Sequence, residues 1–240
     1  GETTAPRTEW GIDLKIATKV LEVVDAGLVS GVGKPIPGQM CVEAAVCYAL
    51  DLPHGDDPEC VSRALRSLKI KLNDSSWSSN AARTKGLRRL ALIQLGSRNH
   101  LDDKEFAKRV TELAIRKQVP IALRTTASIN KQPLHKQALL DAANKCEIEG
   151  SRQSAFDARE VAREARAAAY AYASTYADAA TYAAAYAAAD AAEVAAADAA
   201  ADADAARDKI LSDFAEDVVQ ILIDMKVPGV QWLPLTEVQP

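Results

Sequence analysis

Apolar side chains recur at spacings of three and four residues along most of the chain, which is the pattern of amphipathic helices. The run from 39 to 50 is apolar on nearly every side and is typical of a buried helix. No segment alternates apolar and polar residues over a sustained length, so the sequence predicts an all-α fold without a sheet. Helices are predicted over residues 13–29, 39–50, 57–72 and 80–95, from 102 towards the proline at 120, and over 133–149.

Prolines set several of the predicted helix limits. Asp57 followed by Pro58 is a favoured helix start, because the first turn of a helix does not need the N–H that proline lacks. Pro120 is expected to interrupt the helix that begins near residue 102. The core face of the helix after Pro58 would consist of Val61, Leu65, Leu68 and Leu72.

The chain from residue 151 to 227 contains neither glycine nor proline, and alanine fills 29 of the 56 positions from 151 to 206. Alanine has the highest helix propensity, so this tract is predicted to be helical. One helix over all 77 residues would be about 115 Å long at ~1.5 Å per residue. The tract therefore either projects as a rod or breaks into a helical hairpin. Ser174-Thr175 and residues 202–208 are the candidate breaks, because Ser, Thr and Asp cap helices.

The last predicted helix carries a wide apolar stripe and ends at Pro228-Gly229. We expect it to pack on the N-terminal helices. The predicted organisation is a multi-helix domain over residues 1–150, followed by an alanine-rich acidic region over 151–240 whose long helices end in this amphipathic helix. The stripe consists of Ile210, Leu211, Phe214, Val218, Ile221, Leu222 and Met225.

The net charge of −4 hides a strong separation of charge along the chain. Residues 61–140 carry seventeen basic and five acidic groups, whereas residues 141–240 carry eight basic and eighteen acidic groups. Pairing of the basic block with acidic groups of its own chain is the favoured interpretation, and nucleic-acid binding is the alternative. The candidate nucleic-acid-binding residues are Arg63, Arg66, Lys69, Lys71, Trp77, Arg83, Lys85, Arg88 and Arg89.

Tyr-Ala and Asp-Ala steps repeat from Ala167 to Ala206, and this tract resembles alanine-rich bacterial and phage proteins, some of which are labelled immunity proteins. The resemblance implies a helical protein that binds another macromolecule. The first hypothesis is therefore a non-enzymatic, cytoplasmic binding protein, such as an inhibitor, whose acidic helical surface meets a basic protein partner. Its candidate partner-binding residues are Asp178, Asp190, Glu193, Asp198, Asp202 and Asp204.

Cys41 opens a predicted helix, where the free N–H groups and the helix dipole would stabilise a thiolate. With Gln39 before it, the segment resembles the start of the catalytic helix in papain-like and bacteriocin-processing cysteine peptidases. A cysteine hydrolase is thus the third hypothesis, although no histidine is placed as a base in an all-helical chain. Buried structural thiols at Cys41 and Cys47 are the simpler interpretation. Glu43 is expected to pair with Arg63 or Arg66.

Other classes receive no support from the sequence. Cys41, Cys47, His54 and Cys60 lack the close pairs of a zinc site, so no metal and no cofactor is predicted. No stretch has the length and apolar character of a membrane span. The four cysteines are not closely paired, which favours a reducing compartment. A homo-oligomer stays an open alternative.

Overall fold

Within residues 10–164 and 177–238, which the computed structural model describes, ten α-helices follow one another and no β-strand occurs. The predicted all-α fold is therefore confirmed. None of the described helices is long and apolar enough to cross a membrane. The helices are α1 (Leu14–Asp25), α2 (Val42–Ala49), α3 (Arg63–Asn73), α4 (Asn80–Ile93), α5 (Asp103–Leu113), α6 (Val119–Ile129), α7 (Pro133–Glu149), α8 (Arg152–Glu164), α9 (Ala177–Ala199) and α10 (Ala203–Asp224).

Side-chain caps begin several of these helices. Asp13, Ser79 and Asp102 each accept a hydrogen bond from a backbone N–H in the first turn of α1, α4 and α5. The predicted start at Asp57 and Pro58 is wrong. Helix α3 begins after Ser62, whose hydroxyl accepts from the N–H of Leu65 at 3.2 Å and whose own N–H donates to the Ser97 hydroxyl. The predicted core residues are confirmed, because Leu65, Leu68 and Leu72 of α3 are fully buried. Val61, which precedes the helix, is fully buried as well.

The predicted interruption at Pro120 is also wrong. A wide π-helical turn, Ala114–Gln118, joins α5 directly to α6, and Pro120 lies in the first turn of α6. The wider turn changes which carbonyl faces each N–H, so the chain passes proline without ending the helix. Gly150 ends α7 as expected, with a left-handed φ of 58°.

Two apolar clusters hold the described residues together. The first is formed by α1 to α5, α9, α10 and the closing 3-10 turn, Pro228–Glu237, and the second by α6, α7 and α8. The predicted boundary at residue 150 falls between α7 and α8, which pack on each other. The alanine-rich region thus contributes to both clusters.

Helices α9 and α10 pack on each other across a short 3-10 turn, Ala200–Asp202, and so form a helical hairpin rather than a rod. This turn overlaps the start of the predicted break at 202–208, and the other predicted break, Ser174-Thr175, lies outside the described residues. Phe214, Val218 and Leu222 of α10 are fully buried, and α10 packs on α4. The predicted packing of the last helix on the N-terminal helices is confirmed.

Candidate binding surface on helix α9

Helix α9 lies between α3, α5, α6 and α10 and buries mostly alanine. Alanine side chains are small, so neighbouring helix backbones approach α9 closely. Thr181 is buried among them and donates to the carbonyl of Ala64 on α3 at 2.7 Å. Larger side chains such as Tyr182, Tyr186 and Glu193 lie on its outer side.

The outer side of α9 combines aromatic rings with carboxylates. Tyr182 and Tyr186 are 44% and 40% exposed, although both lie in the middle of the helix. Asp178 and Glu193 are exposed nearby, and Asp190 is half-buried. We call these five residues the α9 face. Asp178, Tyr182, Tyr186 and Asp190 follow one another at steps of four residues, which keeps them near one side of the helix. Glu193 lies seven residues, or about two turns, after Tyr186 and so shares its side of the helix.

A pocket of about 170 Å³ adjoins Tyr186 on this face. Three carboxylates line it, from Asp74, Asp190 and Glu193. The one ammonium group among the lining residues belongs to Lys71, whose Nζ lies 4.7 Å from the centre of the Tyr186 ring. A tyrosine ring with several carboxylates around it suits a cation. The Lys71 ammonium group already lies in this environment.

The six predicted acidic residues fall into two groups. Asp178, Asp190 and Glu193 belong to the α9 face, whereas the other three lie at the turn of the hairpin. Asp198 and Asp202 are exposed there. Arg207 connects the two groups, because it donates to Glu193 at 2.9 Å and to Asp204 at 3.0 Å.

Several predicted nucleic-acid-binding residues are not on the surface. Lys69 is fully buried in an ion pair with Glu43. Arg83 is 6% exposed and donates to the carbonyl of Asn73 at 2.7 Å. Trp77 is 7% exposed, and its indole N–H donates to the Leu72 carbonyl. In this structure these three side chains are not available to a phosphate or a base.

Three of the other six basic candidates have acidic partners in the fold. Arg66 pairs with Asp56 at 2.8 Å, Arg88 with Asp25 at 2.7 Å, and Arg89 with Glu216 at 3.2 Å. Arg63 and Lys85 are exposed. Lys85, Arg88 and Arg89 share a cleft of about 640 Å³ between α1, α4 and the C-terminal turn. Asp25 and Asp56 precede the basic block in the sequence, and Glu216 belongs to α10.

Cys41 and Glu43 occupy the start of α2. Cys41 is 5% exposed, and its sulfur accepts from the N–H of Ala44 at 3.4 Å as the N-cap of the helix. Burial raises the pKa of Cys41 and, with nearby carboxylates, raises that of Cys47 to about 12. Cys60, which is also buried, has a pKa of about 11. These thiols are held in the neutral form that packs well and reacts slowly.

The predicted arginine partner of Glu43 is wrong, because its partner is Lys69. Both residues are fully buried. Removal from water raises the pKa of Glu43 and lowers that of Lys69, and the attraction between them opposes both shifts. Arg66, one of the two expected partners, pairs with Asp56 and Asp57 instead.

Sequence reasoning did not include Tyr182, Tyr186 or Asp74 in the site. The signal for the tyrosines was present, since two large side chains four residues apart on an alanine helix must either fill a space or face outwards. Asp74 comes from the turn between α3 and α4, and only the tertiary fold brings it to α9.

Among the described residues no group of three or more His, Cys, Asp or Glu side chains could hold a metal ion. Comparison of the chain with family models, with curated proteins and with solved structures finds no match. The function must therefore be argued from the geometry of the α9 face itself.

Proposed function

We propose that this protein is a non-enzymatic binding protein that holds a basic segment of another protein against the α9 face. The main observation behind this proposal is the pair of exposed tyrosines, Tyr182 and Tyr186. Tyr186 and three carboxylates line a pocket of about 170 Å³. Tyrosine is enriched at protein interfaces because its ring contributes a large contact area and its hydroxyl tolerates water. A lysine or arginine of the partner would meet both the rings and the carboxylates.

The distribution of charge supports a basic partner. Several basic side chains of the fold, such as Lys69, Arg66 and Arg88, are held in internal ion pairs. Asp178 on the α9 face and Asp198 at the hairpin turn are exposed. An acidic surface of this kind attracts a basic partner over a distance and orients it before contact. A basic toxin or nuclease is a partner of this chemistry, which would make the protein an inhibitor or immunity-type protein.

Nucleic-acid binding is the second candidate, and the cleft of about 640 Å³ favours it. Lys85 on α4 is exposed at this cleft, and Arg88 and Arg89 also line it. Arg88 is held by Asp25 and by the carbonyl oxygens of Thr236 and Val238, so much of its hydrogen-bonding capacity is used. We rank nucleic-acid binding second because Arg88 and Arg89 already have acidic partners, so Lys85 would be the main phosphate-binding group of the cleft.

The test uses the full chain and a fluorescent peptide of alternating lysine and arginine, with fluorescence anisotropy as the readout. Tyr186→Ala should weaken binding about tenfold or more, the range for truncating an aromatic interface residue. Tyr48→Ala is the matched control. Tyr48 is 37% exposed, and the Nζ of Lys19 lies 5.8 Å from its ring centre, so it shares the exposure and the neighbouring cation.

Equal loss in Tyr186→Ala and Tyr48→Ala would show non-specific attraction and reject the α9 face. Duplex DNA and single-stranded RNA form the second arm of the experiment. Salt-sensitive DNA or RNA binding that Lys85→Ala weakens and Tyr186→Ala leaves unchanged would reverse the ranking of the two functions.

A further inference from the structure

The cleft between α1, α4 and the C-terminal turn has the size of a small-molecule site. Its volume of about 640 Å³ lies within the ~300–1,000 Å³ usual for such sites and exceeds the ~150 Å³ of a cavity that binds benzene. Part of its wall comes from residues whose side chains are small or absent, namely Ala26, Gly27, Gly38 and Ala81. The cleft therefore has room for an organic molecule with an apolar ring.

Two glycines keep one wall of the cleft free of side chains. Gly27 has a φ of 121° and Gly38 a φ of 89°, which are conformations that other residues rarely adopt. A Cβ atom at Gly38 would also lie only 3.1 Å from the carbonyl oxygen of Ala26. This wall is thus made of backbone, against which the flat face of a ring can pack.

Two contacts hold α1 and α4 together at the cleft. The hydroxyl of Thr84 on α4 accepts from the N–H of Leu28, just after α1, at 2.9 Å. Arg88 on α4 donates to both carboxylate oxygens of Asp25 on α1, at 2.7 Å and 3.1 Å, and to two carbonyl oxygens near the C-terminus. The cleft is therefore formed before any ligand arrives, as is usual for small-molecule sites.

The charged groups of the cleft favour an anion. Among the described residues that line it, Lys85, Arg88 and Arg89 stand against one carboxylate, that of Asp25, although the whole chain has a net charge of −4. Asp25 pairs with Arg88, and Glu216, the partner of Arg89, does not line the cleft. Lys85 is exposed and forms no ion pair within residues 10–164 and 177–238. An anion in the cleft would therefore meet a cation that is not yet neutralised.

The form of the cleft suits a small anion better than a nucleic acid. A nucleic-acid strand is bound by several cations along its backbone, and single strands also stack their bases on aromatic rings. None of the described residues that line the cleft carries an aromatic ring, and Lys85 is the one cation among them without an acidic partner. One anionic group on an apolar body matches this arrangement.

We infer that this cleft binds a small organic acid, which consists of one carboxylate or phosphate group on an apolar ring. The anionic group pairs with Lys85 and lies beside Arg89. The ring lies between Ala81 and the backbone of Gly27 and Gly38. This inference does not depend on the binding of a basic segment at the α9 face.

The test follows backbone amide signals by NMR in the full-length protein, with benzoate and phenyl phosphate as probes. At least one of them should cause saturable shifts at Gly27, Gly38 and Ala81, with a dissociation constant in the millimolar range or below, as expected for a ligand of this size. The probe that binds more tightly identifies the head group. Benzamide has the ring without the charge, and acetate and inorganic phosphate have the charge without the ring. At matched ionic strength these three should bind about tenfold more weakly or not at all.

Variants at Lys85 test the charge. Lys85→Met should weaken binding of the better probe about fivefold or more, between the effects of an exposed ion pair and of a charge-assisted hydrogen bond. Lys85→Arg keeps the charge and should retain most of the binding. Lys209→Met is the matched control, because Lys209 is an exposed lysine that shares a neighbouring pocket with Lys85 but does not line the cleft. It should leave binding unchanged.

A second pair of variants tests the room for the ring. Ala81→Phe places a large side chain at the cleft and should weaken binding about tenfold or more. Ala179→Phe makes the same change at an exposed alanine in the first turn of α9, away from the cleft lining, and should have no effect. Tyr186→Ala should also leave binding unchanged, so this inference and the proposed function can fail separately.

Three results would overturn the inference. One is the absence of saturable shifts with both probes in the wild-type protein, and duplex DNA that then shifts the same signals would assign the cleft to nucleic acid. Another is equal binding of benzamide or of acetate, because the cleft would then not require ring and charge together. The last is an equal effect of Lys85→Met and Lys209→Met, which would mean that only the general charge of this surface is sensed.

Discussion

Replacing Lys69 with methionine tests whether the buried ion pair with Glu43 is needed for the stability of the first apolar cluster. Methionine has nearly the length of lysine and fills most of its space, so the main change is the loss of the charge. Both partners are fully buried, and the second oxygen of Glu43 already has no hydrogen-bond partner in the described residues. The variant would therefore leave an unpaired carboxylate in the interior.

The expected loss in the free energy of unfolding is about 3–5 kcal/mol, the range for breaking a buried pair from one side. A domain is usually stable by only ~5–15 kcal/mol, so this loss is a large fraction of the whole. Urea unfolding, followed by circular dichroism, measures it as a shift of the midpoint at constant slope.

The loss should also depend on pH. Burial raises the pKa of Glu43, and Lys69 opposes this, so removing Lys69 raises the folded-state pKa further above that of the unfolded chain. A folded state with the higher pKa binds more protons, and the associated stability is present in acid and lost as pH rises through the folded-state pKa. The deficit of Lys69→Met should therefore be smallest near pH ~4 and grow towards neutral pH.

Two control variants make the result interpretable. In Glu43→Gln/Lys69→Met no charge is left unpaired, so the loss should be clearly smaller than in Lys69→Met alone. Lys85→Met removes an exposed lysine and should change stability by less than about 0.5 kcal/mol. A single Lys69→Met variant as stable as the wild type at neutral pH would refute the reasoning, because Glu43 would then not need a partner.

Two further predictions concern α10 and the thiols. Leu222→Ala should lower the free energy of unfolding by about 2–5 kcal/mol, as measured by urea unfolding, because Leu222 is fully buried. Leu134→Ala is the control and should change it little, because Leu134 is 86% exposed. Equal losses of stability in the two variants would show that α10 does not anchor the fold. Iodoacetamide should label Cys41, Cys47 and Cys60 slowly at neutral pH, because burial raises the pKa of each. Rapid labelling of Cys41 alone, detected by mass spectrometry, would instead support a nucleophile.

Periodicity was enough to predict helices and their buried sides, but it could not rank competing helix starts. At the start of α3 both Pro58 and Ser62 are suitable residues, and the hydroxyl of Ser97, distant in sequence, binds the N–H of Ser62. The partner of Glu43 was open to prediction. Lys69 is four residues after Leu65, so it lies on the core face of α3 and must be buried with that face.

The α9 face was harder to predict because the buried and exposed sides of an alanine-rich helix differ at only a few positions. Hydrophobic periodicity identifies a buried side only where large apolar and polar residues alternate around the helix. In α9 only a few side chains, such as Tyr182, Tyr186 and Thr181, differ from the alanines around them. Which of these is buried depends on where α3 and α10 approach, and that is decided by the tertiary fold.

The basic block, residues 61–140, and the acidic region, residues 141–240, are separate in the sequence but lie next to each other in the fold. Helix α9, from the acidic region, packs along α3, from the basic block, and Thr181 bonds directly to the α3 backbone at Ala64. A fragment ending near residue 150 would lack this helix and would expose the apolar side of α3. The acidic side chains of α9 are thus held in place by the packing of this helix on α3. A partner that binds the tyrosines and carboxylates together would therefore bind the folded protein and not the unfolded alanine-rich segment.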